Sequence, residues 1–216
     1  MASQTASVKA PASKLSYFKL ETNNNENGGY SSSFVNNGQG FVGQKSTSGT
    51  GAGANVTCFA VPLVELPNPG KISSITFSTY TTNSTSGYNN CVAKLEYVGE
   101  SASNYPALWR VGTDTDTWPL NEKKTTTMTV TDTTTCNNFK SLIMNSDDGS
   151  YYWFRLVRVS GQGAWLKSDV TITITYEEGS TAYVWNGSEW RAATPYVWDG
   201  SSWALSTPSI YDGEWK

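Results

Sequence analysis

In the segment DVTITITYEE, Val170, Ile172, Ile174 and Tyr176 fall on one side of an extended chain and Thr171, Thr173 and Thr175 on the other. A period of two with β-branched residues on both faces fits a half-buried strand and no helix. Similar runs occur along the chain. VTCFAVPLVEL is closed by PNPG, ISSITFSTY alternates Ile75, Phe77 and Thr79, and CVAKLEYVG sets Cys91, Ala93, Leu95 and Tyr97 against Lys94 and Glu96. The last of these reads as a strand with one wet face. TTTMTVT, SLIMN and YYWFRLVRVS add three more candidate strands, each bounded by Gly, Asp, Asn or Pro.

No segment longer than about ten residues shows a convincing 3.6-residue period with caps, so the expected fold is all-β: a jelly-roll-like antiparallel β-sandwich over residues 16–178. Residues 1–15, rich in Ser, Ala and Lys, read as an extended N-terminal arm outside the core. At 216 residues there is room for one such domain and an appendix, and two full domains do not fit.

Composition removes several functions. With no histidine, Ser-His-Asp and Cys-His nucleophile systems and imidazole metal sites are excluded. A net charge of -3 with 15% charged residues offers no broad basic surface, so no nucleic-acid partner is expected. No apolar run approaches the roughly 20 residues of a spanning helix, so no membrane insertion is expected. MASQTASVKAPASK lacks the apolar stretch of a secretion signal, so the protein is expected to be made in the cytoplasm. Cys58, Cys91 and Cys136 are odd in number and lack CxxC spacing; Cys58 and Cys91 read as small apolar residues on strands. No cofactor is implied.

The carboxylate pairs Asp114/Asp116 and Asp147/Asp148 read first as turn formers. Asp114 and Asp116 are also weak calcium candidates, although DTDTW lacks the other ligands of a twelve-residue calcium loop. Catalysis by paired acids remains as a third use, because glycoside hydrolysis needs no histidine. The loop aromatics Tyr105, Trp109 and Trp118 are glycan-contact candidates, since indole and phenol faces stack on sugar C–H surfaces. Trp109, in ALWRV, also suits a core strand. Trp153 and Phe154 read as core or interface residues.

Beyond Glu178 the pattern changes. In residues 181–216 an aromatic, an Asn or Asp, a Gly and a Trp recur with a period of 13: Tyr183 and Tyr196, Trp185, Trp198 and Tyr211, Gly187, Gly200 and Gly213. Trp190, Trp203 and Trp215 close the units, and Thr-Pro pairs separate them. Asn-Gly and Asp-Gly favour a tight type I′ turn, so three short β-hairpins are expected. Such hairpins are marginal alone, yet a packed Trp buries roughly 150–250 Å². Three uses of the rings remain open: a core shared between copies of the chain, a stacking platform for sugars, or packing on the chain's own sandwich.

The pattern Tyr-Val-Trp-Asn/Asp-Gly-x-x-Trp after a Ser/Thr-rich β domain resembles the short tryptophan repeats on virion proteins of tailed bacteriophages, of fibre, tail-associated or head-decoration type. The resemblance covers about a sixth of the chain, and the main domain is assigned to no family. It implies a non-enzymatic structural protein on the virion surface, a homo-oligomer, with a trimer favoured, in contact with other virion proteins. Tyr183, Trp185, Trp190, Tyr196, Trp198, Trp203, Tyr211 and Trp215 are then the oligomer or partner contacts. The alternative is a carbohydrate-binding adhesion module for host-surface glycans.

Overall fold

The computed structural model describes residues 3–20, 30–34, 39–43, 55–82, 90–102, 107–121, 124–161, 163–167, 169–178, 182–185, 187–188, 190–193, 196–198 and 200–205. Its main-domain strands are β1 (Gln4–Lys9), β2 (Leu15–Leu20), β3 (Tyr30–Phe34), β4 (Gln39–Gly43), β5 (Asn55–Val61), β6 (Pro69–Thr82), β7 (Asn90–Gly99), β8 (Trp109–Val111), β9 (Trp118–Asn121) and β10 (Thr125–Val130). A helix, α1 (Thr133–Met144), precedes β11 (Tyr152–Gly161), β12 (Gly163–Lys167) and β13 (Thr171–Glu178).

These strands form an antiparallel β-sandwich of jelly-roll-like type. The front sheet runs β1-β13-β6-β10. The back sheet centres on β5-β11-β7, with β2 and β4 beyond β5 and with β8 and β9 on the far edge of β7. At fourteen residues β6 is long enough to serve both layers. It pairs with β13 and β10 through most of its length and meets β12 of the back sheet at Thr81 and Thr82. A strand that changes sheets in this way makes a corner of the sandwich.

The alternation read in the sequence sets the core. Ile172, Ile174 and Tyr176 of β13 face inward beside Ile75 and Phe77 of β6 and Met128 and Val130 of β10. From the back sheet come Phe59, Leu95, Tyr97, Phe154 and Leu156. Phe154 is the hub. Its ring centroid lies 5.6 Å from that of Phe59, 6.1 Å from Phe77, 5.4 Å from Tyr97 and 5.8 Å from Phe139.

Three expectations are corrected. Of the expected N-terminal arm over residues 1–15, the described residues 3–15 do not lie outside the core: β1 pairs with β13 from Gln4↔Tyr176 to Lys9↔Thr171, and Val8, Ala10 and Leu15 are buried. The inward residues of β1 are mostly small, so the segment lacks the apolar weight that marks a strand.

SLIMN is not a strand but the end of α1. Cys136, Phe139 and Ile143, spaced at i, i+3 and i+7, are its buried stripe. Asp132 caps the helix by accepting a hydrogen bond from the Thr135 N–H at 2.9 Å.

The third correction concerns β7. Its outer face is only partly wet, because Glu96 and Val98 are both buried there. Charge on that face is therefore neutralised within the protein, as described below.

Candidate functional site: the aromatic hairpins and the Trp109 loop

Two of the three expected hairpins lie among the described residues. β14 (Ala182–Trp185) pairs with β15 (Trp190–Ala193), and β16 (Tyr196–Trp198) with β17 (Trp203–Leu205). Each forms a two-stranded sheet of its own, apart from the sandwich ladders. Trp185 stands opposite Trp190, and Trp198 opposite Trp203, as the last pair before the turn. Directly opposed positions share one face of a hairpin, so each unit brings its two tryptophan positions to the same side. Tyr183 is opposite Ala192 and belongs to that face too.

The turns differ from the expected two-residue type I′ form. The ladders leave four residues between Trp185 and Trp190 and between Trp198 and Trp203, where Gly187 (φ 101) and Gly200 (φ 103) take the left-handed conformation that side chains resist. Tyr196, Val197 and Trp198 are 53%, 51% and 52% exposed, so the second hairpin presents large apolar side chains on both faces. Tyr211 and Trp215, with the third repeat, lie outside the described residues.

The glycan-contact candidates separate. Trp118 is fully buried. It is opposite Ala93 on β7 and packs against Phe77 at 6.3 Å, so it is a core ring and no ligand contact. Trp109 is half-buried on β8, opposite Tyr97, and the two rings lie 5.1 Å apart. Tyr105 lies outside the described residues. Beside Trp109, Leu108 is 64% exposed.

Arg110 organises the loop that follows. Its Nη1 donates to Asp114 Oδ1 at 3.0 Å and its Nη2 to the Asp116 carbonyl at 2.8 Å. Asp116 Oδ2 accepts from the Thr113 N–H at 2.7 Å and from Thr113 Oγ1 at 3.0 Å. At Gly112 (φ +86) a Cβ would lie 2.8 Å from that same Oδ2, so glycine lets the carboxylate close the turn. The Gly112 N–H donates to Thr135 Oγ1 at 3.0 Å, which docks the loop on α1.

Asp114 and Asp116 are thus engaged in turn chemistry. Among the described residues no group of three acids, cysteines or histidines is placed to hold a metal ion. Asp147 and Asp148 are exposed at a turn closed by the Ser150 N–H on the Asp147 carbonyl, with Gly149 at φ 80.

One arrangement escaped the sequence reading. Arg155 of β11 lies directly opposite Glu96 of β7 on one side and Cys58 of β5 on the other. Its Nε donates to Glu96 Oε2 at 3.0 Å and its Nη2 at 2.5 Å, while Lys94 Nζ is 2.8 Å from Oε1. Burial works to raise the Glu96 pKa, but hydrogen bonds and charge from Lys94 and Arg155 outweigh it and hold the carboxyl below 4.5. Burial pushes the Cys58 thiol up to about 12 despite the neighbouring Arg155, so it is no nucleophile at neutral pH. Phase alone put Glu96 on a face; only the register of three strands puts Arg155 against it.

Fold and site together define an antiparallel β-sandwich carrying aromatic hairpin repeats. No family model and no curated protein matches the chain. Among solved structures, CBM35 from Cellvibrio japonicus Abf62 is similar over 82% of this chain and 100% of its own, at 11% identity and a TM-score of 0.32. The tripod (BppUct-A-L) from the baseplate of bacteriophage Tuc2009 is similar over 84% of this chain and 66% of its own, at 14% identity and a TM-score of 0.21. At these scores neither likeness transfers a fold or a function.

Proposed function

We propose that the chain is a non-enzymatic structural protein of the tailed-phage virion surface, a capsid-decoration or fibre component whose copies associate through their aromatic tails, with a trimer favoured. The observation that carries the association is the second hairpin, whose Tyr196, Val197 and Trp198 are each about half exposed. A two-stranded ribbon this short has no interior of its own. Rings left in water forgo roughly 25 cal/mol per Å² of apolar surface, so neighbouring tails that cover them gain several kcal/mol per copy. Repetition at a fixed period suits layers stacked about one symmetry axis. The virion setting rests on the resemblance of the repeat.

Deleting residues 180–216 tests the association. Light scattering on the full and shortened chains is expected to show a lower particle mass for the shortened one, with its far-UV spectrum still that of a β protein. An unchanged mass would remove the tail from the assembly.

A second reading, the carbohydrate-binding module, keeps one favourable observation. Trp109 is backed by Tyr97 and flanked by exposed Leu108, so a partly open indole stands at the edge of the back sheet. On a glycan array, a sugar bound through this site is expected to lose at least tenfold in affinity with Trp109→Ala, the loss of one stacking ring. No bound sugar, or binding indifferent to that substitution, would retire this reading.

A further inference from the structure

The front sheet ends in two strands whose outer edges differ. Along β1, the Ala10 N–H donates to the Val170 carbonyl at 2.8 Å. The antiparallel ladder alternates bonded and non-bonded pairs, so with this register the N–H and C=O groups of Thr5, Ser7 and Lys9 point away from β13. Along β10, the Thr81 N–H donates to the Lys124 carbonyl at 3.1 Å, which turns the backbone groups of Thr125, Thr127 and Thr129 away from β6.

Neither outer edge has a strand partner among the described residues, since β1 pairs with β13 alone and β10 with β6 alone. An unpaired edge invites another strand, and proteins that avoid this place lysine, proline or a bulge there. β1 carries Lys9, and its Gln4 side chain is tied to Glu178 at 2.8 Å. β10 reads TTTMTV: no charge, no proline and an unbroken register with β6.

We propose that the β10 edge is a docking site for β10 of a second copy of this chain. The run is self-complementary about Thr127. An antiparallel two-fold pairing centred there sets Thr125 against Thr129 of the second copy and Thr127 against its counterpart, so every outward N–H meets an outward C=O. Opposed residues lie on the same sheet face. The exposed threonines of β10 therefore meet each other, and the ladder of hydroxyls already formed by Ser7 with Thr173 and by Thr76 with Thr129 extends across the seam.

The ends agree in charge as well. In this register exposed Lys124 is opposite Val130 of the second copy, two residues from Asp132 of the second copy. The joined front sheets form one sheet of eight strands, β1-β13-β6-β10 continued by its two-fold mate. This contact does not depend on the tail.

The test uses the full chain. Residues paired at Thr127 would have Cα atoms about 5.5 Å apart, inside the window a disulfide spans. The native cysteines Cys58, Cys91 and Cys136 are all buried, so a surface cysteine can be read alone. Thr127→Cys is expected to cross-link into a covalent dimer on mild oxidation, at least tenfold faster than Ser7→Cys on the opposite edge or Thr134→Cys on the exposed side of α1.

Because the Thr127 N–H gives no hydrogen bond to β6, Thr127→Pro removes only the outward donor and is expected to halve the particle mass in light scattering. Cross-linking of Thr127→Cys no faster than Thr134→Cys would overturn the proposal. So would dimers forming through Ser7→Cys in its place, or a folded Thr127→Pro chain of unchanged mass. Should the proline variant misfold, the rate ratio of the cysteine variants decides.

Discussion

Trp118→Ala is expected to lower the unfolding free energy by about 3–5 kcal/mol, a large part of the 5–15 kcal/mol that holds a typical domain together. The ring is fully buried, opposite Ala93 and against Phe77, with Phe139 and Phe154 packed around Phe77 in turn. Removing it leaves a cavity between the sheets that close-packed neighbours fill only in part. Trp118→Phe is a sharper probe. The indole Nε1 is buried with no hydrogen-bond partner among the described residues, so phenylalanine loses ring volume but also removes that donor, and the two effects oppose each other. Urea titrations of both variants should therefore separate by more than 2 kcal/mol. Trp109→Ala, on a half-exposed ring, should fall well below Trp118→Ala. Similar losses for Trp109→Ala and Trp118→Ala would contradict the placement of the two rings.

Those two tryptophans mark where sequence stops being informative. Both sit in one polar, turn-rich stretch, and nothing local tells ALWRV from TWPLN. Register decides: β8 places Trp109 opposite Tyr97 at the edge of the back sheet, whereas β9 places Trp118 opposite Ala93, beneath the front sheet. Where alternation is strong the reading was direct, as in Val170 to Tyr176, because a single strand shows which residues it buries.

α1 was harder. Its first turn is Thr-Thr-Thr, β-prone residues directly after a true strand of the same composition, and only three buried apolar side chains mark its stripe. The Asp132 cap and the i, i+3, i+7 spacing were present in the letters, but threonine propensity outvoted them. The tail repeat was legible as hairpins because Gly at the turn and paired Trp positions are local. Its loop length was not, since Asn-Gly and Asp-Gly suit several turns and the ladder chose the four-residue form. Partnership across strands is not legible in one strand: the outward phase of Glu96 suits a solvated carboxylate, and only the register with β11 sets Arg155 against it.

That partnership leads to the second large effect. Breaking the Glu96–Arg155 pair from one side, with Arg155→Met, is expected to destabilise the protein by about 3–5 kcal/mol, because the buried carboxylate then keeps Lys94 as its one ion-pair partner among the described residues. Replacing both, as Arg155→Met with Glu96→Leu, should recover most of the loss, since a buried ion pair contributes little net stability once desolvation is subtracted. A double-mutant cycle in urea would measure the coupling, and additive losses would mean the two groups do not interact.

Acid gives an independent reading of the same contact. The folded-state pKa of Glu96 is depressed below 4.5, so the unfolded chain binds its proton more readily than the folded one. The stabilisation is then complete above the unfolded value and drains away as pH falls through the folded one, never on the alkaline side. A chain with Glu96→Leu and Arg155→Met should accordingly lose less stability than the natural sequence as pH falls from 5 to the acid limit of the fold. Parallel pH profiles for the two chains would show that the pair, though buried, is not what acid attacks.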